Sequence, residues 1–277
     1  MKKYVLLIFS AVLFISICFG VTRDKRKIIL PKGIVKVINN ENINIHSLAR
    51  GSGPGNRSQM FTAEKLNLPV EVKDKITGMK FRLIPGSKFG EKSLKPFYIG
   101  MFEVTQEEWQ KITHKNPARF RDFNRNPIEN ISWIECQKFL EIFCKKHGVP
   151  KGTFRMPTEA EWEHACRAGT KTEFCYGDDL DSSQANFDGE YPYGNGEKGD
   201  TIGKTTAVGS YKPNAFGLYD MHGNVWEWCK DLSGSSKSIR ALRGGHFCNE
   251  ARYCRSVSRL QTTECDSAGF RVVLAIP

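Results

Sequence analysis

The chain has 277 residues, 40% of them hydrophobic, which is enough for one large domain with a real core plus a tail. Its formal net charge of +11 favours anionic partners such as acidic polysaccharides or an anionic envelope. The basic residues are scattered, however, with no long stripe interleaved with aromatics, so a plain solvated surface is the simpler reading and a nucleic-acid partner is not expected.

Lys2 and Lys3 precede an apolar run from Tyr4 to Phe19 that ends at Gly20, the order of a secretory signal peptide. The run is short for a membrane span, and Arg23, Asp24, Lys25 and Arg26 follow at once. Ile17 puts a bulky branched side chain before Cys18, which argues against a lipidated cysteine. Cleavage near Gly20 removes two lysines, so +11 becomes +9, and leaves a secreted or periplasmic chain with no membrane span. Eight cysteines remain (136, 144, 166, 175, 229, 248, 254 and 265), and in an oxidising compartment some disulfides are expected.

Residues 21–73 mix Lys, Asn, Gly and Ser, break at Gly51-Ser-Gly-Pro-Gly55, and read as a linker or loosely ordered N-terminal arm. The domain proper is expected over residues 74–277. Met79, Phe81 and Leu83 alternate as in a strand. Three S/T-x-x-E pairs then mark helix starts: Thr105 with Glu108, Ser132 with Glu135, and Thr158 with Glu161, each near a tryptophan able to pack inward (Trp109, Trp133, Trp162). The second helix carries Phe139, Leu140, Ile142 and Phe143 and stops at Gly148 and Pro150. After Thr170 the pattern turns to Gly, Asp and Asn with no helical stretch, and strands are expected again only at 240–247 and 269–276. This order predicts an α+β domain.

Six segments carry the strongest signal: FYIGMFEVT (97–105), NPIENISWIEC (126–136), RMPTEAEWEHACRAGT (155–170), NAFGLYDMHGNVWEWCKD (214–231), RGGHF (243–247) and GFR (269–271). Together, in this order, they resemble the sulfatase-modifying-factor domain, the fold of the formylglycine-generating enzyme, over roughly residues 74–275. The resemblance implies a C-type-lectin-like fold with little regular secondary structure, in which bound calcium holds the loops. Its ligands would be Asn186, Phe187, Asp200 and Ile202 at one site and Asp220, Gly223, Val225 and Glu227 at the other, a mix of side-chain and backbone oxygens that suits a hard cation. Without the resemblance, Asn186 and Asp200 read as ordinary turn residues.

In that enzyme two cysteines after RGGS hold Cu(I), and a cysteine of a sulfatase is oxidised to formylglycine with O₂. The resemblance makes Cys248 and Cys254 the candidate catalytic pair and Trp226 and His246 the candidate pocket walls. The segment RGGHFCNEARYCRSVSR departs from the pattern: the cysteines are six residues apart, one more than implied, and His246 replaces a serine. Disulfides between Cys248 and Cys254, or Cys254 and Cys166, are open alternatives. Two functions remain: an oxidase acting on sulfatase polypeptides in Cys-x-Pro-x-Arg context, or a non-catalytic, calcium-stapled module that binds an extracytoplasmic protein or glycan. No H-x-x-x-H, HExxH, P-loop or G-x-S-x-G is present.

Overall fold

The computed structural model describes residues 28–36, 56–89, 92–232 and 238–276; the signal-peptide segment lies outside them. The elements in order are β1 (Ile34–Lys36), α1 (Arg57–Leu66), β2 (Glu71–Asp74), β3 (Lys80–Ile84), β4 (Ser87–Phe89), β5 (Lys92–Leu94), β6 (Phe97–Gly100), α2 (Gln106–Thr113), α3 (Trp133–His147), β7 (Phe154–Arg155), α4 (Glu159–Arg167), β8 (Trp226–Leu232), β9 (Arg240–Arg243), β10 (Arg259–Thr262), β11 (Ala268–Gly269) and β12 (Val273–Ala275). An antiparallel sheet runs β1-β2-β3-β6-β12-β7, and a second sheet runs β10-β9-β8-β11, with β11 parallel to β8. The chain is an α+β protein whose second half is mostly loop.

Period-two alternation sorts the first sheet between two cores. Phe81 and Leu83 of β3, Tyr98 of β6 and Leu274 of β12 face the larger core with α2 and α3. Ile84, Phe97, Ile99 and Val273 face the smaller one, against Trp162, Ala165 and Cys166 of α4. In the larger core Trp109 stacks on Phe139 at 5.1 Å and meets Phe270 edge-on at 6.1 Å. A third cluster gathers Phe174, Leu180, Ala185, Phe187, Ala251 and Cys254 beneath the loops.

The three expected capping boxes form, at Thr105, Ser132 and Thr158, and α3 ends on a left-handed Gly148. A fourth box starts α1, with Asn56 and Gln59 in the roles of Ser/Thr and Glu. The reading of 21–73 as a loose arm is therefore corrected where the chain is described. Strand β2 pairs with β3, and the wholly buried Gln59 donates to the carbonyls of Leu83 (2.9 Å) and Phe216 (3.0 Å).

Other corrections are local. Trp133 is only partly buried, with the Arg240 guanidinium 3.9 Å above its ring, and Ile142 is 40% exposed. The strand expected over 240–247 ends at Arg243, because Gly244 and Gly245 take positive φ (99° and 79°). Strands β8 and β10 were not expected. All eight cysteines of the described residues are free thiols, so the expected disulfides are absent there. Five of these cysteines are buried and pack as small hydrophobes in separate places, Cys136 and Cys144 among them on the inner side of α3.

Candidate cation-binding loops and thiol site

The loop leading into β8 is shaped by three left-handed residues, Asp220 (φ 57°), Gly223 (86°) and Asn224 (65°). Gly223 sits directly against Asn186, where a Cβ would overlap the Asn186 carbonyl, so only glycine fits. The Asn224 N–H donates to that carbonyl at 2.8 Å, and the Gly223 N–H donates to Gly244 O at 2.8 Å. The two oxygen-rich segments expected to hold cations are thus clipped to each other and to the strand end that carries Gly244.

Below them lies a buried charge cluster. Glu227, fully buried, accepts from Arg271 at 2.6 and 2.8 Å and from the Trp162 indole N–H at 2.8 Å. Arg271 also donates to the carbonyls of Gly100, Met101 and Tyr219, so one guanidinium ties β6 to the loop before β8. Burial would lower its pKa, but the Glu227 charge and hydrogen bonds together with the Glu103 and Asp220 charges outweigh this, and the net direction is up. Glu103 and Asp220 add two more buried carboxyls. Burial, then the Asp220 and Glu227 charges, hold the Glu103 pKa well above the carboxylate range. Burial pushes Asp220 to about 6, against the opposing effect of the Gly209 N–H.

Two buried oxygens in this region have no partner: Asn186 Oδ1 and Asp220 Oδ1. An unpaired buried oxygen costs about 1–3 kcal/mol, and a hard cation would remove that cost. Asn186 and Asp220 therefore suit the expected calcium sites. Glu227 does not as it stands, because both its oxygens are taken by Arg271 and Trp162. Asp200 and Ile202 are exposed and stand outside the buried set, whereas Phe187 is buried beside Asn186. Among the described residues no group of three or more His, Cys, Asp or Glu is arranged around one metal, so amide and carbonyl oxygens would have to complete either shell.

The candidate thiols do not share a surface. Cys248 is exposed, and its backbone N–H donates to His246 Nδ1 at 3.3 Å. Cys254 is fully buried in the third cluster, and burial drives its thiol pKa far up. A Cβ on Gly245 would come 2.5 Å from its sulfur, so this glycine makes room for it. His246 is half-buried with its ring 5.0 Å from Phe247, and burial lowers it to about 4. Trp226, expected as a pocket wall, is 4% exposed and belongs to the larger core, since its place in β8 turns it inward.

The sequence reading missed His222. Its Nδ1–H donates to Cys254 O at 2.7 Å, its Nε2 accepts from the Cys175 N–H at 3.1 Å, and the Cys166 sulfur lies 3.7 Å from the same nitrogen. A single histidine in a loop gives no periodic signal, so only the fold could place it.

Residues 88–276 match the sulfatase-modifying factor enzyme 1-like domain. The chain belongs to this family. It is 31% identical to the mouse formylglycine-generating enzyme over 174 residues, covering 53% of this chain and 44% of that protein. It is 29% identical to the chaperone protein LppX of Paenibacillus barcinonensis over 187 residues, 52% of this chain and 65% of that one. The cattle inactive C-alpha-formylglycine-generating enzyme 2 is 29% identical over 157 residues, 52% and 49% of the two chains. The chain thus spans about half to two thirds of the length of these relatives. Among solved structures, PvdO from Pseudomonas aeruginosa superposes with a TM-score of 0.61 at 24% identity, covering 73% of this chain and 97% of that one, which establishes the C-type-lectin-like fold.

Proposed function

We propose that this chain is an exported, non-catalytic binding module of the sulfatase-modifying-factor family, with calcium stapling its loops. The observation that supports this most is the separation of the thiols: Cys248 is exposed while Cys254 is sealed inside an apolar cluster. Cu(I) held by two thiolates needs both sulfurs deprotonated and facing one cleft. Burial holds Cys254 in its thiol form instead. The likeness to a relative named as inactive accords with this reading.

The surface offered for binding is the loop face where residues 186–202 meet 246–255. Asp188 N–H donates to Asn249 O at 2.8 Å and Ala251 N–H to Tyr191 O at 3.0 Å, which fixes one loop on the other. Tyr191 (56% exposed) and Tyr253 (43%) project there, and the Arg252 guanidinium sits 4.9 Å from the Tyr253 ring. Exposed tyrosine beside arginine suits an extracytoplasmic protein or glycan partner. The basic-then-apolar order of residues 2–20 supports export. Cu(I) titration of the reduced protein against a competing chelator tests the reading. It predicts no Cu(I) bound by the Cys248 and Cys254 pair; stoichiometric binding lost in both Cys248→Ser and Cys254→Ser would restore the oxidase.

A further inference from the structure

Glu103 lies in none of the expected ligand sets, yet it bonds the 220–227 segment directly and reaches Asn186 of the other segment through Asn224. It is 1% exposed, just after β6, and each of its oxygens faces an N–H: Oε2 accepts from Asn224 Nδ2 at 2.8 Å, and Oε1 from the Val225 backbone at 3.3 Å. Asn224, also 1% exposed, is fixed by this contact. Its Nδ2 must face the carboxyl, so its Oδ1 must face the other way, where it accepts from Thr206 N–H at 3.0 Å and from Asn186 Nδ2 at 3.1 Å. Both Glu103 oxygens face N–H donors, so the side chain accepts here even with its pKa raised, and a flipped Asn224 would set its oxygen against a Glu103 oxygen and its amide hydrogens against the Thr206 N–H and the Asn186 NH₂.

The same logic passes to Asn186. Its Nδ2 donates to Asn224 Oδ1 and to Lys204 O at 2.9 Å, two groups that only accept. Asn186 Oδ1 is therefore the atom left over, buried and without a partner. We infer that Glu103 is a positioning residue for the Asn186 cation site: acting through Asn224, it sets the Asn186 amide so that its oxygen, not its NH₂, faces the cation. The inference rests on the calcium reading proposed above. Because Glu103 also holds the Val225 N–H, in the loop between Asp220 and Glu227, one carboxyl ties the two cation-binding segments together.

Carbon-13 NMR of the Asn186 side-chain carbonyl during a Ca²⁺ titration of the full chain tests this. In the unaltered protein the Asn186 Cγ resonance shifts on saturation. Glu103→Gln brings in a donor that lets Asn224 turn over. It should weaken calcium at this site by about tenfold, as loss of an outer partner of a metal ligand does, and reduce the Cγ shift. Asn224→Asp alone places two carboxyls face to face and should weaken binding likewise. The double variant Glu103→Gln with Asn224→Asp lets the new amide donate to the new carboxylate and should restore both affinity and shift, a rescue that general loss of stability would not give. If Asn186 Cγ does not respond to calcium in the unaltered protein, the calcium reading fails and takes this inference with it. If it responds there and equally in Glu103→Gln, or if the double variant is not rescued, the calcium reading stands and the relay is overturned.

Discussion

Protonating His222 should loosen the loop-rich half. The side chain is fully buried between Phe174 and Tyr176, with ring centroids 5.4 and 5.6 Å away, and burial lowers its pKa from 6.5 to about 4. Its Nδ1–H already donates to Cys254 O, so a second proton would land on Nε2, facing the Cys175 N–H that this nitrogen now accepts. The unfolded chain takes up that proton near 6.5 and the folded chain only near 4. Stability is therefore complete above about 6.5, falls as the pH drops through this window, and levels off below about 4. The gap corresponds to about 3 kcal/mol. Urea unfolding at intervals from pH 7.5 to 3.5 should show this loss relative to His222→Gln, whose amide oxygen can accept the Cys175 N–H without titrating. A difference between the two proteins that stays constant across the window would refute the argument.

Other outcomes follow from the same contacts. Removing calcium with a chelator should lower the melting temperature by about 5–10 °C, since a ligand at 100 times its Kd contributes about 2.7 kcal/mol; an unchanged melting curve removes calcium from the account. Asp220→Asn should shrink that chelator response. Glu227→Ala should instead destabilise the protein by about 3–5 kcal/mol with chelator present or absent, because it strands the buried Arg271, and calorimetry separates the two behaviours. Thr158→Ala should cost about 1 kcal/mol in a denaturant titration, as it removes the cap of α4. Gly245→Ala should be strongly destabilising by the same assay, since φ is +79° and the methyl would press on the Cys254 sulfur.

What could be read from the sequence was local. The boxes at Thr105, Ser132 and Thr158 placed three helices because capping is a contact between residues three apart. The box at Asn56 was passed over only because it uses Asn and Gln and lies in a polar stretch. Strand β3 was legible from alternation, but β8 was not, since WEWCKDL begins with four buried residues in a row and shows no alternating face. The site was half legible. Asn186 and Asp220 emerged from the family motifs and proved to carry unpaired buried oxygens. Glu227 and Trp226 emerged from the same motifs, yet one is committed to Arg271 and the other to the core. Partners 44 residues away in the chain, as Arg271 is from Glu227, leave no spacing rule to follow. Glu103 and His222 lie inside the family segments, but they act only through tertiary contacts, so nothing in the sequence marked their roles.

The central claim is that this member of the family binds without catalysing oxidation. The most direct measurement incubates the reduced protein with Cu(I), O₂ and a peptide containing Cys-x-Pro-x-Arg, and follows the peptide by mass spectrometry after trapping any aldehyde with a hydrazine. The cysteine should stay unconverted at every concentration of the protein. Aldehyde formed in proportion to the protein, and lost in Cys254→Ser, would contradict it.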